Sequence, residues 1–264
     1  PTLGLVLETP PADTALPAQA ILIDAARART LLEEGIRTGS PRHAELRIER
    51  CSPHVARHNP GSRITVVYRL VYGPGAEARD WPCVVVAKTH RGDKGRIAYE
   101  SMLALWKSTL RSGTVVTIAE PLAYLPEHRV LIQGGVPGDS TLGELVEAVL
   151  LHGTGKPAER EQLNDYLAKA ARGLAALHGC GARGESYGWE QEVAEVRERI
   201  GRLADWIPGF EAALAPALTQ IEELADSHPA QRAVPSHRSF RPAQVLLHEG
   251  NIAPGDAPGE LKIV

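Results

Sequence analysis

The amino-acid sequence points to an α+β protein with two lobes: a small antiparallel sheet carrying one helix, and a mainly helical second lobe. Three observations carry this expectation. Alternating and β-branched segments crowd residues 44–133, helical spacing dominates after Gly134-Gly-Val-Pro-Gly138, and strand character returns only in two short stretches near the end. A length of 264 residues, with 43% hydrophobic and 23% charged residues, suits one large domain or two joined lobes and excludes disorder throughout.

The elements follow in order. Residues 1–17 hold Pro1, Pro10, Pro11 and Pro17 with little periodicity and read as an extended arm. It leads into a helix from about Ala18 to Gly35, with Ile21, Leu22, Ala25, Leu31 and Leu32 as its apolar positions. Three strands come next. They are Glu45-Leu-Arg-Ile-Glu, which alternates, the β-branched and aromatic run from Arg63 to Tyr72, and the apolar run Cys83-Val-Val-Val-Ala-Lys. Asn59-Pro-Gly and Gly73-Pro-Gly supply the turns between them. A helix from about Gly95 to Arg111 turns Ile97, Leu103 and Trp106 inward. Two short strands are expected near 115–118 and 129–133.

Beyond the Gly/Pro stretch, helices are expected over 141–151, 159–178, 189–203 and 210–227. The second is the clearest, with Leu163, Tyr166, Leu167, Ala170, Leu174 and Leu177 three and four apart. Ala243 to His248 and Glu260 to Val264 then form a late hairpin around a turn-rich segment. The expected organisation is therefore an arm and helix capping the small lobe (1–43), the small lobe itself (44–133), and a helical lobe (134–264). The chain begins at Pro1 rather than Met and stops within strand-like residues, so it reads as a piece of a longer protein.

Charge and cysteine content exclude several functions. With 29 basic against 32 acidic residues, net −3, no large positive field is available for a nucleic-acid backbone. Cys51, Cys83 and Cys180 are widely separated and read as reduced thiols in a cytoplasm. No apolar run reaches the roughly 18 residues of a membrane helix, and no basic stretch feeds an apolar one at the start. No H-x-x-x-H or H-E-x-x-H spacing falls on an expected helix, so a zinc site has little support. Ser239 lacks the flanking glycines of a nucleophile elbow, which removes a hydrolase reading.

The residues that carry chemistry sit at element ends. Lys88 closes the third strand, where a lone ammonium either reaches nucleotide phosphates or simply ends a strand at the surface. Glu100, twelve residues on and in the next helix, is placed to hold Lys88 by an ion pair or to lie solvated on the helix face. Leu131-Ile-Gln-Gly-Gly-Val-Pro-Gly138 follows the last strand of the small lobe as a nucleotide hinge would. Gln133 and Gly135 are there to meet an adenine edge. The turn-rich stretch Cys51-Ser-Pro-His-Val-Ala-Arg-His-Asn-Pro-Gly-Ser offers Arg57, His58 and Gly61 to phosphate without a G-x-G-x-x-G pattern, or is a plain hairpin loop.

The most informative stretch is Pro235-Ser-His237-Arg238-Ser239-Phe240-Arg241-Pro242-Ala243-Gln244-Val245-Leu246-Leu247. Against the kinase catalytic loop H-R-D-x-x-x-x-N it keeps His237, Arg238 and the spacing, with Ser239 in place of Asp and Gln244 in place of Asn. With the Leu167–Leu177 helix ending in His178, the hinge and Lys88, this stretch resembles the aminoglycoside phosphotransferase and choline-kinase-like enzymes over residues 44–264.

The resemblance implies a two-lobed protein-kinase-like fold, ATP and Mg2+ as cofactors, and transfer of phosphate to a hydroxyl of an unidentified small molecule. It also implies residue roles. Lys88, Glu100, Gln133, Gly135 and Leu246 would meet the nucleotide, and Gln244 would meet the metal, as in the related maltokinases. Ser239, His237, Arg238 and Arg241 would surround the reacting groups. The family's second metal ligand, in a D-x-D motif one strand further on, would lie beyond Val264. Serine cannot serve as a general base unaided, so two classes stay open. One is a small-molecule kinase in which Ser239 only orients the acceptor hydroxyl. The other is a kinase-like pseudoenzyme that binds nucleotide or serves as a regulatory module. The cluster Arg232, His237, Arg238 and Arg241 either attracts an anion or faces solvent. Trp189, Trp206 and Phe210 are candidate walls of an acceptor pocket, or plain core. Oligomeric state is not readable.

Overall fold

A computed structural model describes residues 13–76, 79–112, 116–136, 140–153, 156–184, 186–228, 233–237, 240–247 and 261–263. These residues form a mixed α/β protein with a five-stranded antiparallel sheet, a second small sheet and seven α-helices.

The helix expected over 18–35 is two helices, α1 (Gln19–Leu22) and α2 (Ala25–Gly39). Asp24 makes the break: its backbone is extended and its carboxylate accepts the Arg27 N–H, so it starts α2 as an N-cap. Their apolar residues Leu22, Ala28, Leu32 and Ile36 are all inaccessible to solvent.

The large sheet runs β1-β2-β3-β6-β5. Its strands are β1 (Ile48–Asn59), β2 (Arg63–Tyr72), β3 (Val84–His90), β5 (Pro121–Leu125) and β6 (Val130–Gly134). Residues 51–59, expected as a turn-rich loop, are instead strand. They pair with β2 from Cys51↔Leu70 to Asn59↔Arg63, with a register shift between Val55 and Arg57. Pro53 hides this strand from a propensity reading, yet β1 lies at the sheet edge, where a missing N–H costs no ladder bond. β5 went unrecognised because Pro121-Leu-Ala-Tyr-Leu has no alternation; its first three residues are all buried. α1 and α2 cover one face of this sheet, making a core with Ile64, Val66, Tyr68, Val85, Ala87, Val130 and Ile132.

On the other face lies α3 (Lys94–Trp106), against β3, β5 and β6. Gly95 sets its approach, since a Cβ there would meet the Tyr124 ring at 3.4 Å, and Tyr99 stacks on Tyr124 with centroids 6.2 Å apart. The second sheet runs β4 (Val116–Ile118), β9 (Leu261–Ile263), β8 (Val245–Leu247), β7 (Ser140–Thr141), with β4 parallel to β9. β8 packs its buried Val245 and Leu247 against α4 (Leu142–Leu151) and α5 (Pro157–Gly179). Thr141 and Glu144 start α4 with a reciprocal capping box.

The chain forms two compact units, residues 1–182 with 237–264, and residues 183–236. Within the first unit β4 pairs with β9 at the far end of the chain. The 183–236 unit is a pair of helices, α6 (Trp189–Ala204) and α7 (Phe210–Ser227), joined along an apolar seam and by an Arg197–Glu222 ion pair at 2.6 Å. Among the described residues no helix is long and apolar enough to cross a membrane.

Candidate functional site

Period-two geometry sends alternate residues of β1, β2 and β3 to opposite faces. Val85, Ala87 and Thr89 are buried; Lys88 and His90 therefore face away from α1 and α2. The register sets Thr65 opposite Lys88 and Arg63 opposite His90, with Arg57 and Asn59 opposite Thr65 and Arg63. Six polar residues thus meet at the hairpin end of one face, four of them basic, and Lys94 adds a further ammonium in the first turn of α3.

Among the described residues no carboxylate lies within ion-pair distance of Arg57, Arg63, Lys88, His90 or Lys94. Burial, and then the Arg63 charge, push the Lys88 ammonium below its usual value. His90 falls to about 4, chiefly by burial, then under the positive charges of Arg63, Lys88 and Lys94. Arg63 is lowered by burial and by Arg57. Desolvation and like charge both disfavour the cationic forms, so an anion placed here would relieve both.

Glu100 is not brought to Lys88. Its carboxylate takes Arg96 Nη1 at 2.8 and 3.0 Å on the exposed side of α3. The (i, i+4) spacing of Arg96 and Glu100 was visible in the sequence and offers a nearer cation than a strand lysine twelve residues away.

Gln133 is 2% exposed in β6, opposite Val86. Gly135 donates its N–H to Val84 O at 2.7 Å, and a Cβ there would stand 2.5 Å from Val84 Cγ1. Glycine is needed for this close approach, and the amide expected to meet a ligand is committed to the sheet.

In the late loop, Arg238 and Ser239 lie outside the described residues. His237 is half-buried, its ring edge-on to Phe240 with centroids 5.8 Å apart, and its Nδ1 is buried without a hydrogen-bond partner. Burial holds His237 below its ordinary value. Phe240 packs against both apolar clusters of the helical part, so it anchors the loop. Arg241 is exposed. Its N–H donates to Gln244 Oε1 at 3.0 Å, around a 3-10 turn over Pro242–Gln244. The oxygen expected to face magnesium is therefore engaged in capping. Among the described residues no three His, Cys, Asp or Glu side chains converge. Leu246 sits in β8 between Thr141 and Lys262, on the opposite face from the buried Val245 and Leu247.

Sequence reading missed Arg63, His90, Lys94 and Asp13. The paired alternations Arg63-x-Thr65 and Lys88-x-His90 were a usable signal, but only the register shows that they coincide. Asp13 is the anchor of the β1–β2 turn: its carboxylate accepts the Gly61 N–H at 2.6 Å and the Ala15 N–H at 3.0 Å. These amide bonds, Gly61's foremost, hold the Asp13 carboxyl below its ordinary value. His58 points to Asp13's side of the sheet rather than to the basic face. In the 183–236 unit, Phe210 lines an apolar cavity of about 270 Å3 with Ile200, Leu203 and Leu214, whereas Trp189 and Trp206 are exposed. Compared with models of known families and with curated proteins, the chain matches none.

Proposed function

We propose that this chain binds ATP and belongs to a phosphotransferase that acts on a small-molecule hydroxyl. The observation that supports this best is Lys88: a largely buried strand ammonium with no carboxylate in ion-pair range among the described residues, on a sheet face that also presents other cations. A buried cation lacking a counter-ion is costly, and a ligand phosphate would supply the missing charge. The likeness of the 235–247 stretch to a kinase catalytic loop adds to this from the sequence side, with Gly134 and Gly135 following β6 as a hinge would.

A second reading, a kinase-like module that holds nucleotide without transferring phosphate, is favoured by two contacts. Gln244 Oε1 is engaged by the Arg241 amide, and Glu100 by Arg96. Serine at 239 points the same way, because a hydroxyl is not a base near neutral pH.

The test is a thermal-shift titration of the full chain with ATP and magnesium, beside Lys88→Ala. Ligand that binds only the folded state adds about 2.7 kcal/mol at a hundredfold excess over Kd. A shift in the native protein that the variant loses supports the nucleotide reading, and a screen of acceptor hydroxyls for phosphate incorporation then separates kinase from binding module. No shift with ATP or GTP overturns both.

A further inference from the structure

The helical hairpin of residues 183–236 buries little of what its sequence prepares for burial. Val196, Ile200 and Leu203 in α6, and Leu214, Ala217 and Ile221 in α7, recur at alternating spacings of three and four, the pattern of helices packed into a bundle. Yet among the described residues α6 buries only Val193 and α7 buries none. Amphipathic helices draw most of their stability from packing one face, and a single pair leaves part of that face open. The opening is the cavity of about 270 Å3 along the seam, of whose lining residues only Arg199 is charged.

The tip of the same hairpin carries a side chain suited to that cavity. Trp206 is 84% exposed, and its neighbours Leu203 and Ile207 are exposed as well. Backbone bonds fix the turn that presents it. The Trp206 and Ile207 N–H groups both donate to Leu203 O, at 3.0 and 2.9 Å, Phe210 N–H donates to Ile207 O at 3.1 Å, and Gly209 takes the left-handed φ of +79°. An indole held on a fixed turn loses little freedom when it docks. A cavity of about 150 Å3 takes a benzene ring, so one of about 270 Å3 has room for an indole. Leu203 and Phe210, on either side of Trp206, both line the cavity, so knob and hole lie side by side. A two-fold axis beside them places each copy's knob in the other's hole.

Charge along the rim fits a second copy better than a charged partner. Arg197, Arg199 and Arg202 are each paired within the hairpin, with Glu222 at 2.6 Å, Glu195 at 2.9 Å and Glu198 at 2.7 Å. At the helical turn angle, Glu223 and Asp226 fall on the side of α7 away from Leu214 and Ile221. The seam therefore neither attracts a polyanion nor strongly repels an identical face.

We propose that two copies of this chain associate through their 183–236 hairpins, each inserting Trp206 into the apolar seam cavity of the other, to complete a four-helix bundle. The inference is independent of the nucleotide reading.

Sedimentation velocity of the full chain, at about 1 to 100 µM, is compared for the native protein, Trp206→Ser, which removes the knob, and Ala217→Phe, which fills the hole at an exposed position on its lining. The native protein is expected to sediment as a dimer, and each variant to associate at least about 30-fold more weakly with unchanged helical circular dichroism. An equimolar mixture of the two variants is expected to associate more tightly than either alone, because Ala217→Phe still supplies the knob and Trp206→Ser the hole. Native protein that stays monomeric overturns the proposal. So does a dimer that survives either substitution, which would use another surface, and so does a mixture no tighter than its components.

Discussion

The two faces of the five-stranded sheet are made from the same strands and have opposite economies. Facing α1 and α2 the packing is mostly apolar: Tyr68 donates its hydroxyl to Leu22 O at 2.6 Å and Cys51 its thiol to Ala25 O at 3.1 Å, while Thr89 Oγ1 and Gln19 Oε1 are buried without a hydrogen-bond partner among the described residues. Across the sheet, one residue along each strand, basic side chains crowd together with no carboxylate in ion-pair range among the described residues. A fold selected only for stability would put acids among them. The difference teaches where stability is concentrated and where it has been given up, which is how ligand sites commonly stand out from their scaffold.

Substitutions on the two faces should therefore behave differently, beginning with the largest effect. Leu32→Ala in α2 opens a cavity in the covered face and is expected to cost about 2–5 kcal/mol in denaturant melts. A cost under 1 kcal/mol would mean that α2 does not seal the sheet. Tyr68→Phe removes one donor and strands the buried Leu22 carbonyl, for about 1–3 kcal/mol, with no change in anion affinity.

On the basic face the expected signature is a pH dependence. His90 has its folded value near 4 against an ordinary 6.5, so between those values the unfolded chain binds the extra proton. Stability should be full above pH 6.5 and fall as pH drops toward 4, by at most about 1.4 kcal/mol per pH unit, less for a partly solvated ring. His90→Gln should flatten that slope in melts between pH 4 and 7; an unchanged slope assigns it to another group. Smallest of all, Arg63→Gln should raise apo stability by about 0.5 kcal/mol, which would invert the ordinary sign of a substitution at a half-buried site. A loss of similar size would show that Arg63 helps to hold the sheet.

Much of the architecture was legible from the chain. The helices α4 to α7 lie where spacing of three and four put them, and Thr141-x-x-Glu144 marked the start of α4. Strands β2, β3, β6 and β8 were readable from β-branched runs. β1 beyond Ile48 was not, because Pro53 and the polar residues Arg57, His58 and Asn59 look like loop until a partner strand is supplied. The candidate site was legible in part: Lys88 and the 235–247 stretch were found, whereas Arg63, His90 and Lys94 were not, and Glu100 takes the second of its two expected places, on the exposed helix face beside Arg96. An edge strand and a cross-strand cluster have no local periodicity to announce them.

What the sequence determined alone is what adjacent residues decide among themselves: the amphipathic helices and the glycine and proline turns. Only the tertiary structure decided that Arg63 stands opposite His90, twenty-seven residues away, that Gly61 gives its amide to Asp13, and that Gly135 presses against Val84. Strand register is set by burying one face as a whole, and the burial of Val85 and Ala87 under α1 and α2 places Lys88 and His90 on the opposite face.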